Sequence, residues 1–148
     1  MTPETDKLSC SLVSHIGIAV SDMERSIATY SLLTGIANPR IVEVPEQKVR
    51  VAIFDRPNTS GGCIELVAAT SPDSPIARFI ARHGEGLHHV CISVENIELR
   101  LAELKTAGMR LIDEIPRVGA EGEKIAFAHP ASMGGVLIEL QEIPKTRR

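Results

Sequence analysis

The chain has no tryptophan, one tyrosine and three phenylalanines among its 148 residues. So few aromatic rings provide no platform on which the bases of a single-stranded nucleic acid could stack. The formal net charge of −3 at pH 7 also argues against a nucleic-acid-binding protein, because such proteins carry a basic surface. We therefore expect no nucleic-acid partner.

Cysteine and long apolar runs are scarce as well. Cys10, Cys63 and Cys91 are odd in number and widely spaced, which is typical of a reduced compartment and not of a disulfide framework. No apolar run approaches the roughly 20 residues of a membrane helix, and residues 1–12 are too polar for a signal peptide. These features predict a cytoplasmic protein with no membrane partner.

The chain contains an internal sequence repeat. His15 lies 50 residues before Glu65, His89 lies 50 residues before Glu139, and each residue of the first pair lies 74 positions before its counterpart. Each histidine begins a run of β-branched residues, and each glutamate follows a Gly-Gly pair within a few residues. The repeat predicts two copies of one module with the same residue types in the same places.

Each copy reads as a strand, a helix and three further strands. In the first copy, Ser21 and Glu24 match a capping box that would begin the helix, and Gly35 ends it. In the second copy the helix face is formed by Ile97, Leu101 and Leu104. Strand-like runs follow at roughly 40–44, 48–55 and 62–68 in the first copy, and at 110–115, 123–129 and 135–142 in the second.

The pattern predicts an α+β fold in which two βαβββ modules pair into a curved sheet around a central metal cleft. A length of 148 residues suits one domain, and a half of about 70 residues would leave its inner sheet face open. We therefore expect a single domain over residues 1–148, with module 1 at about 13–69, a connecting helix at about 74–83, module 2 at about 87–143, and short polar tails.

Paired modules would bring two imidazoles and two carboxylates to one point. The predicted metal ligands are His15, Glu65, His89 and Glu139, a set that suits Zn²⁺, Co²⁺, Ni²⁺ or Mn²⁺. Of the adjacent histidines, His89 aligns with His15. Because neighbouring strand residues point to opposite faces, His88 is expected to be structural or to support a ligand. Cys63 is expected one strand position off the inward face.

Several longer segments carry a resemblance to a known family. These segments are Gln47–Ala52, Thr70–Ala77, Gly84–His89, His129-Pro130 and Gly134–Leu140. In this order they resemble the methylmalonyl-CoA epimerase family of the vicinal oxygen chelate superfamily, and the resemblance covers roughly residues 13–143. It implies an isomerase that epimerises methylmalonyl-CoA at the α-carbon by proton abstraction through a metal-stabilised enolate. It also implies one divalent metal ion, an acyl-CoA substrate and a homodimer.

The resemblance specifies the catalytic residues less fully than the metal ligands. Glu65 and Glu139 are the candidate proton-transfer residues, and Glu65 stands where some family members have a glutamine. Val51 stands where some members have a catalytic glutamate, so the second acid or base is open, with Glu46 as a further candidate. Cations that could contact CoA phosphates are Lys48, Arg50, Arg78, Arg82, Arg117 and Lys124.

Two other functions remain open. A glyoxalase I-like lyase or isomerase acting on a glutathione or other thiol adduct would use the same four residues. A non-catalytic small-molecule binding protein of the same fold is the second alternative, although retention of four metal ligands argues against it. An extradiol dioxygenase is disfavoured because it needs two histidines and one carboxylate around iron, and Glu65 supplies an additional ligand here.

Overall fold

The computed structural model describes residues 11–59 and 61–144. Within this part of the chain, eight strands and three helices follow the order predicted from the repeat. Their bounds are β1 Val13–Ala19, α1 Met23–Thr34, β2 Arg40–Val44, β3 Val49–Phe54, β4 Cys63–Ala69, α2 Pro75–His83, β5 Gly86–Val94, α3 Ile97–Thr106, β6 Arg117–Val118, β7 Lys124–Ala128 and β8 Ile138–Glu142. No described helix is long and apolar enough to cross a membrane.

All eight strands form one mixed sheet in the order β2-β3-β4-β1-β5-β8-β7-β6. The modules join at its centre, where β1 and β5 pair antiparallel. The next strands outward, β4 and β8, run parallel to β1 and β5 respectively. The sheet curls into a half-barrel, and Arg40 on the edge strand β2 pairs with Glu121 in the β6–β7 turn. The predicted fold class is confirmed.

The helices cover different faces of this sheet. Helix α1 packs Met23 against Phe54 and Leu66 on the outer face of the first module. Helix α3 packs Ile97 and Leu101 against the outer face of the second module. Helix α2 instead places Ile76 among buried residues of the inner face, including Val49 and Val67. The inner face therefore forms a groove that is covered at one end by α2.

The beginning of α1 differs from the predicted capping box. The N-cap is Asp22, whose Oδ1 accepts a hydrogen bond from the Arg25 amide at 3.0 Å. The Ser21 amide donates to Glu85 Oε2, and Glu24 pairs with Arg50. The prediction was wrong by one residue because Asp22 satisfies the same unpaired amides of the first turn. Gly35 ends the helix in the left-handed conformation, as predicted.

The strand predicted at 110–115 is also wrong. Leu111 forms only an isolated bridge with Ala128, and the amides of Ile112 and Asp113 both donate to the Phe127 carbonyl. The carboxylate of Asp113 accepts the Phe127 amide in place of a backbone carbonyl. The regular ladder therefore begins only at β6, after Pro116.

Two residues other than glycine adopt the left-handed conformation. They are Lys48, with φ 54°, and Asn58, with φ 61°. For residues with a Cβ this conformation costs about 1–2 kcal/mol. Asparagine tolerates it better than lysine, because its short polar side chain can hydrogen-bond locally.

Candidate metal centre and groove

The four predicted ligands lie on the four central strands of the sheet. His15 is on β1 and His89 is on β5, and both are buried. Glu65 lies on β4, beside β1, and Glu139 lies on β8, beside β5. The strand order therefore brings all four residues together, with the two carboxylates flanking the histidine pair from opposite sides.

Three of these side chains converge on one point. His15 Nε2 lies 3.2 Å from His89 Nε2 and 3.0 Å from Glu139 Oε1. His89 Nε2 lies 3.2 Å from the same Glu139 oxygen. Donor atoms at right angles around an ion with bonds of about 2.1 Å would be about 3 Å apart. The three atoms therefore have the spacing that a divalent ion requires.

Glu65 contacts the opposite nitrogen of the same ring. Its Oε2 lies 3.0 Å from His15 Nδ1, so this carboxylate is beside the three convergent atoms and not among them. Burial raises the pKa of Glu65 to about 7, against the opposing effect of nearby His15. Glu65 is therefore joined to the centre through His15.

Hydrogen bonds hold the side chains of the centre together. Burial lowers the pKa of His15, but the hydrogen bond with Glu139 and the charges of both glutamates outweigh burial and raise it overall. Burial opposes ionisation of Glu139, yet its hydrogen bonds with His15 and His89 bring its pKa down to about 2. A proton on His15 Nε2 occupies a position that a cation would take, so metal binding would displace it.

His88 lies on the groove side together with His89. The β1–β5 register shifts between Gly17 and Ile18, whose partners are His89 and Leu87, so His88 is the extra residue of a β-bulge. Its Nδ1 lies 2.9 Å from His89 Nδ1. The predicted opposite orientation was wrong because a bulge interrupts the alternation of side chains.

The His88 ring is suited to orient its neighbour. Burial, together with the charge of His89, lowers the pKa of His88 to about 4. A neutral His88 can accept a hydrogen bond from His89 Nδ1–H. That bond leaves the Nε2 lone pair of His89 directed at the centre, as partners of metal-binding histidines commonly do.

A second irregularity in the sheet supports His15. The β1–β5 register also shifts between Val13 and His15, and Ser14 faces the groove end lined by Gln141. Ser14 Oγ lies 3.2 Å from His15 Nδ1 and donates to Gln141 Oε1. No local pattern in the sequence points to Ser14 or Gln141, because only the β1–β5–β8 register brings them together.

Cys91 is a further neighbour of the centre. Its Sγ lies within 4.8 Å of ligand atoms of His15 and Glu139. Burial raises the pKa of the Cys91 thiol, with a further contribution from Glu139. The Cys91 thiol also donates to Gln141 Oε1 at 3.7 Å.

Glu65 separates the groove into two cavities. The smaller, of about 460 Å³, is lined by Glu65, His89, Glu139 and Val51. The larger, of about 620 Å³, is lined by Glu65, Ser14 and Cys63. Cys63 therefore shares the inward face with Glu65, and its predicted orientation was wrong because residues two apart on a strand point the same way.

The remaining candidates divide between the groove and the surface. Glu46, Lys48 and Arg117 line the smaller cavity, and Lys124 lines the larger one. Arg50 pairs with Glu24, and Arg78 donates to the Asp73 carbonyl. The other two histidines lie outside the groove: exposed His83 packs its ring on Phe79, and His129 caps a short 3-10 turn.

The chain is similar to known proteins over most of its length. The family profile described as the glyoxalase/bleomycin resistance protein/dioxygenase superfamily matches residues 14–127. The mitochondrial methylmalonyl-CoA epimerase of Bos taurus is 37% identical over 131 residues, covering 88% of this chain and 73% of that protein. The ethylmalonyl-CoA/methylmalonyl-CoA epimerase of Cereibacter sphaeroides is 35% identical, covering 88% and 97%.

A solved structure extends the similarity to three dimensions. A methylmalonyl-CoA epimerase in complex with methylmalonyl-CoA and NH4⁺ superposes with a TM-score of 0.82 and 29% identity. The match covers 93% of this chain and 97% of that one. The similarity therefore extends over both modules.

Proposed function

The chain belongs to the methylmalonyl-CoA epimerase family of the glyoxalase/bleomycin resistance/dioxygenase superfamily and is an isomerase, and on this premise we propose that it epimerises methylmalonyl-CoA with the help of one divalent metal ion. The observation that supports this most directly is the convergence of His15, His89 and Glu139 within 3.0–3.2 Å of one another at the floor of a groove. Zn²⁺, Co²⁺, Ni²⁺ and Mn²⁺ all suit these donors.

In this proposal the four residues predicted from the repeat hold the ion. His15, His89 and Glu139 would supply the convergent donor atoms, and Glu65, whose Oε2 lies 3.0 Å from His15 Nδ1, would have to turn from that nitrogen towards them to complete the set. When bound, the ion would stabilise negative charge that develops on the thioester oxygen. Two carboxylates in the set would lower the net positive charge at the ion and so weaken it as a Lewis acid.

Glu65 and Glu139 are the proposed proton-transfer groups. One carboxylate takes the proton as the Cα–H bond breaks, and the bonding electrons move into the thioester carbonyl to form an enolate. The other glutamate, in its carboxylic acid form, gives its proton to Cα from the opposite face as the enolate electrons return to that carbon, which inverts the centre. This assignment is supported by their positions on β4 and β8, on opposite sides of the central strand pair, and by Val51, which lines the same cavity without any titratable group.

The proposed activity can be tested by proton exchange at the α-carbon. Metal-loaded protein is incubated in D₂O with one epimer of methylmalonyl-CoA, and deuterium at Cα is followed by mass spectrometry and NMR. We expect exchange together with inversion. The methylglyoxal–glutathione adduct serves as a parallel substrate, and turnover of that adduct without any exchange in methylmalonyl-CoA would favour the glyoxalase I-like alternative.

His88 should control metal affinity without being a ligand. We expect His88→Phe to weaken metal binding by about 10–100-fold, the usual effect of losing a partner of a metal-bound histidine. His88→Asn should retain most of the affinity, because the asparagine oxygen can accept the same hydrogen bond. Metal titration of both variants measures the effect, and equal affinity in the two would contradict the role assigned to His88.

Three further properties belong to the same proposal. We propose a cytoplasmic location, supported by the free cysteines Cys63 and Cys91; Cys10 lies outside the described residues. We propose a homodimer, as the family resemblance implies, and light scattering would measure it. We propose that residues 1–148 act as one domain, which calorimetry would show as a single unfolding transition.

A further inference from the structure

Lys48 occupies a turn in which glycine would fit better. The residue connects a short 3-10 turn to β3 with φ 54° and ψ 46°. Its amide donates to the Pro45 carbonyl, and its own carbonyl accepts the Thr70 amide at 2.9 Å. The neighbouring structure therefore imposes the left-handed conformation, which glycine adopts without steric cost. The presence of a lysine points to a role for its side chain.

The ion pair of Lys48 does not explain why a lysine stands at this position. The ammonium group pairs with Asp73, and both side chains are exposed. An exposed pair of this kind stabilises a protein by less than the left-handed conformation costs. The side chain also lines the smaller cavity, the one that reaches His89 and Glu139.

A second cation reaches the same cavity from the other module. Arg117 on β6 places its guanidinium 5.3 Å from the centre of the Phe127 ring, and its Nε lies 3.4 Å from Asp113 Oδ2. The Phe127 ring in turn lies 6.0 Å from the His89 ring. His89, Phe127 and Arg117 therefore follow one another along one wall of the cavity, with His89 at the candidate metal centre.

We propose that Lys48 and Arg117 bind the phosphate groups of the coenzyme A part of the substrate. The inference rests on the proposed function and adds a second recognition site to it. An ammonium group offers three donors to a phosphate, and a guanidinium offers a planar pair. Because the substrate must place its thioester at the floor of the cavity, its phosphates would extend towards the cations that line the same cavity.

Two carboxylates other than Glu65 and Glu139 line this cavity. Glu46 and Asp73 are both part of its wall, and Asp73 competes directly for Lys48. Because the Lys48–Asp73 pair is exposed, a phosphate can displace the carboxylate at little cost. Removal of the Asp73 charge should therefore strengthen substrate binding, whereas a purely structural ion pair would predict no such gain.

The test compares glycine substitutions at the two left-handed positions. Lys48→Gly should raise KM for methylmalonyl-CoA about tenfold, equivalent to about 1.4 kcal/mol, with kcat within about twofold of wild type. Asn58→Gly is the matched control, because Asn58 has φ 61° and lines neither cavity. Both variants relieve the same backbone strain, so their Tm values should equal or exceed that of wild type.

A truncated substrate separates phosphate recognition from other effects. The methylmalonyl thioester of N-acetylcysteamine keeps the reacting groups but lacks phosphate. With this substrate Lys48→Gly should behave like wild type, and Asp73→Asn should lower KM for the full CoA thioester only. Arg117→Gln should reproduce the Lys48→Gly result, and isothermal titration with coenzyme A itself should show weaker binding in both variants.

Each outcome has a defined meaning. An unchanged KM in Lys48→Gly, or an equal rise for both thioesters, would overturn the phosphate site while leaving the epimerase proposal standing. Wild-type protein that turns over neither thioester would instead remove the proposed function. A KM that rises in Asp73→Asn would also contradict the phosphate site, because it would mean that the ion pair itself supports binding.

Discussion

Replacement of Glu139 by glutamine should remove both the metal and the activity. Glu139 Oε1 is the atom that both histidine Nε2 atoms approach, and the carboxylate is buried. A neutral amide removes the negative charge that offsets the cation and also removes one proton-transfer group. We expect metal affinity to fall by about 100-fold or more, and turnover to fall by roughly 10³-fold, within the range for loss of a general acid or base.

The control for this variant is a glutamate on the same sheet. Glu43 on β2 is exposed, so Glu43→Gln should retain metal and turnover. Circular dichroism and Tm identify loss of fold, and metal content is measured by mass spectrometry on the folded fraction. Full metal occupancy with wild-type turnover in Glu139→Gln would rule out the assigned centre.

Replacement of Gly17 by alanine should disrupt the centre without changing any ligand. Gly17 lies opposite His89 on β5 and opposite Glu65 on β4. A Cβ at this position would lie 2.0 Å from His89 Cε1 and 2.4 Å from His89 Nδ1. The imidazole must therefore move, and overpacking of this kind costs about 1–3 kcal/mol. We expect metal affinity to fall by about 10–100-fold, the range for loss of ligand support.

The neighbouring residue provides the comparison. Ile16 is exposed and is adjacent to Gly17 on β1, so its side chain points to the opposite sheet face. Ile16→Ala should leave metal affinity within about twofold of wild type. The absorption spectrum of the Co²⁺-substituted protein reports the ligand geometry directly. An unaltered Co²⁺ spectrum in Gly17→Ala would show that His89 is not a ligand.

The repeat was sufficient to predict most of the architecture. Equal spacing of His15–Glu65 and His89–Glu139 predicted two modules, and alternating β-branched residues located most of the strands. These signals are local, because strand and helix periodicities depend on which residues must face a buried interior. The strand predicted at 110–115 failed where a side chain, that of Asp113, replaced the backbone as hydrogen-bond partner.

Side-chain orientations predicted from the alternation of residues along a strand were wrong where the sheet is irregular. Alternation predicted that His88 would point away from His89, but a bulge in β5 turns both towards the groove. Ser14 reaches His15 beside a similar irregularity in β1. A bulge depends on how one strand matches the length and twist of its partner, and no residue pattern in β5 alone reveals it.

The sequence by itself determined the duplicated fold and the four candidate ligands, because both depend on residue types at regular intervals along the chain, and the resemblance of several segments indicated the family. Tertiary structure decided which atoms meet. It placed His15 Nε2, His89 Nε2 and Glu139 Oε1 together, directed Glu65 to the other His15 nitrogen, and brought Lys48 and Arg117 to one cavity. These contacts join strands far apart in sequence, so they follow from sheet register and curvature, which no local pattern encodes.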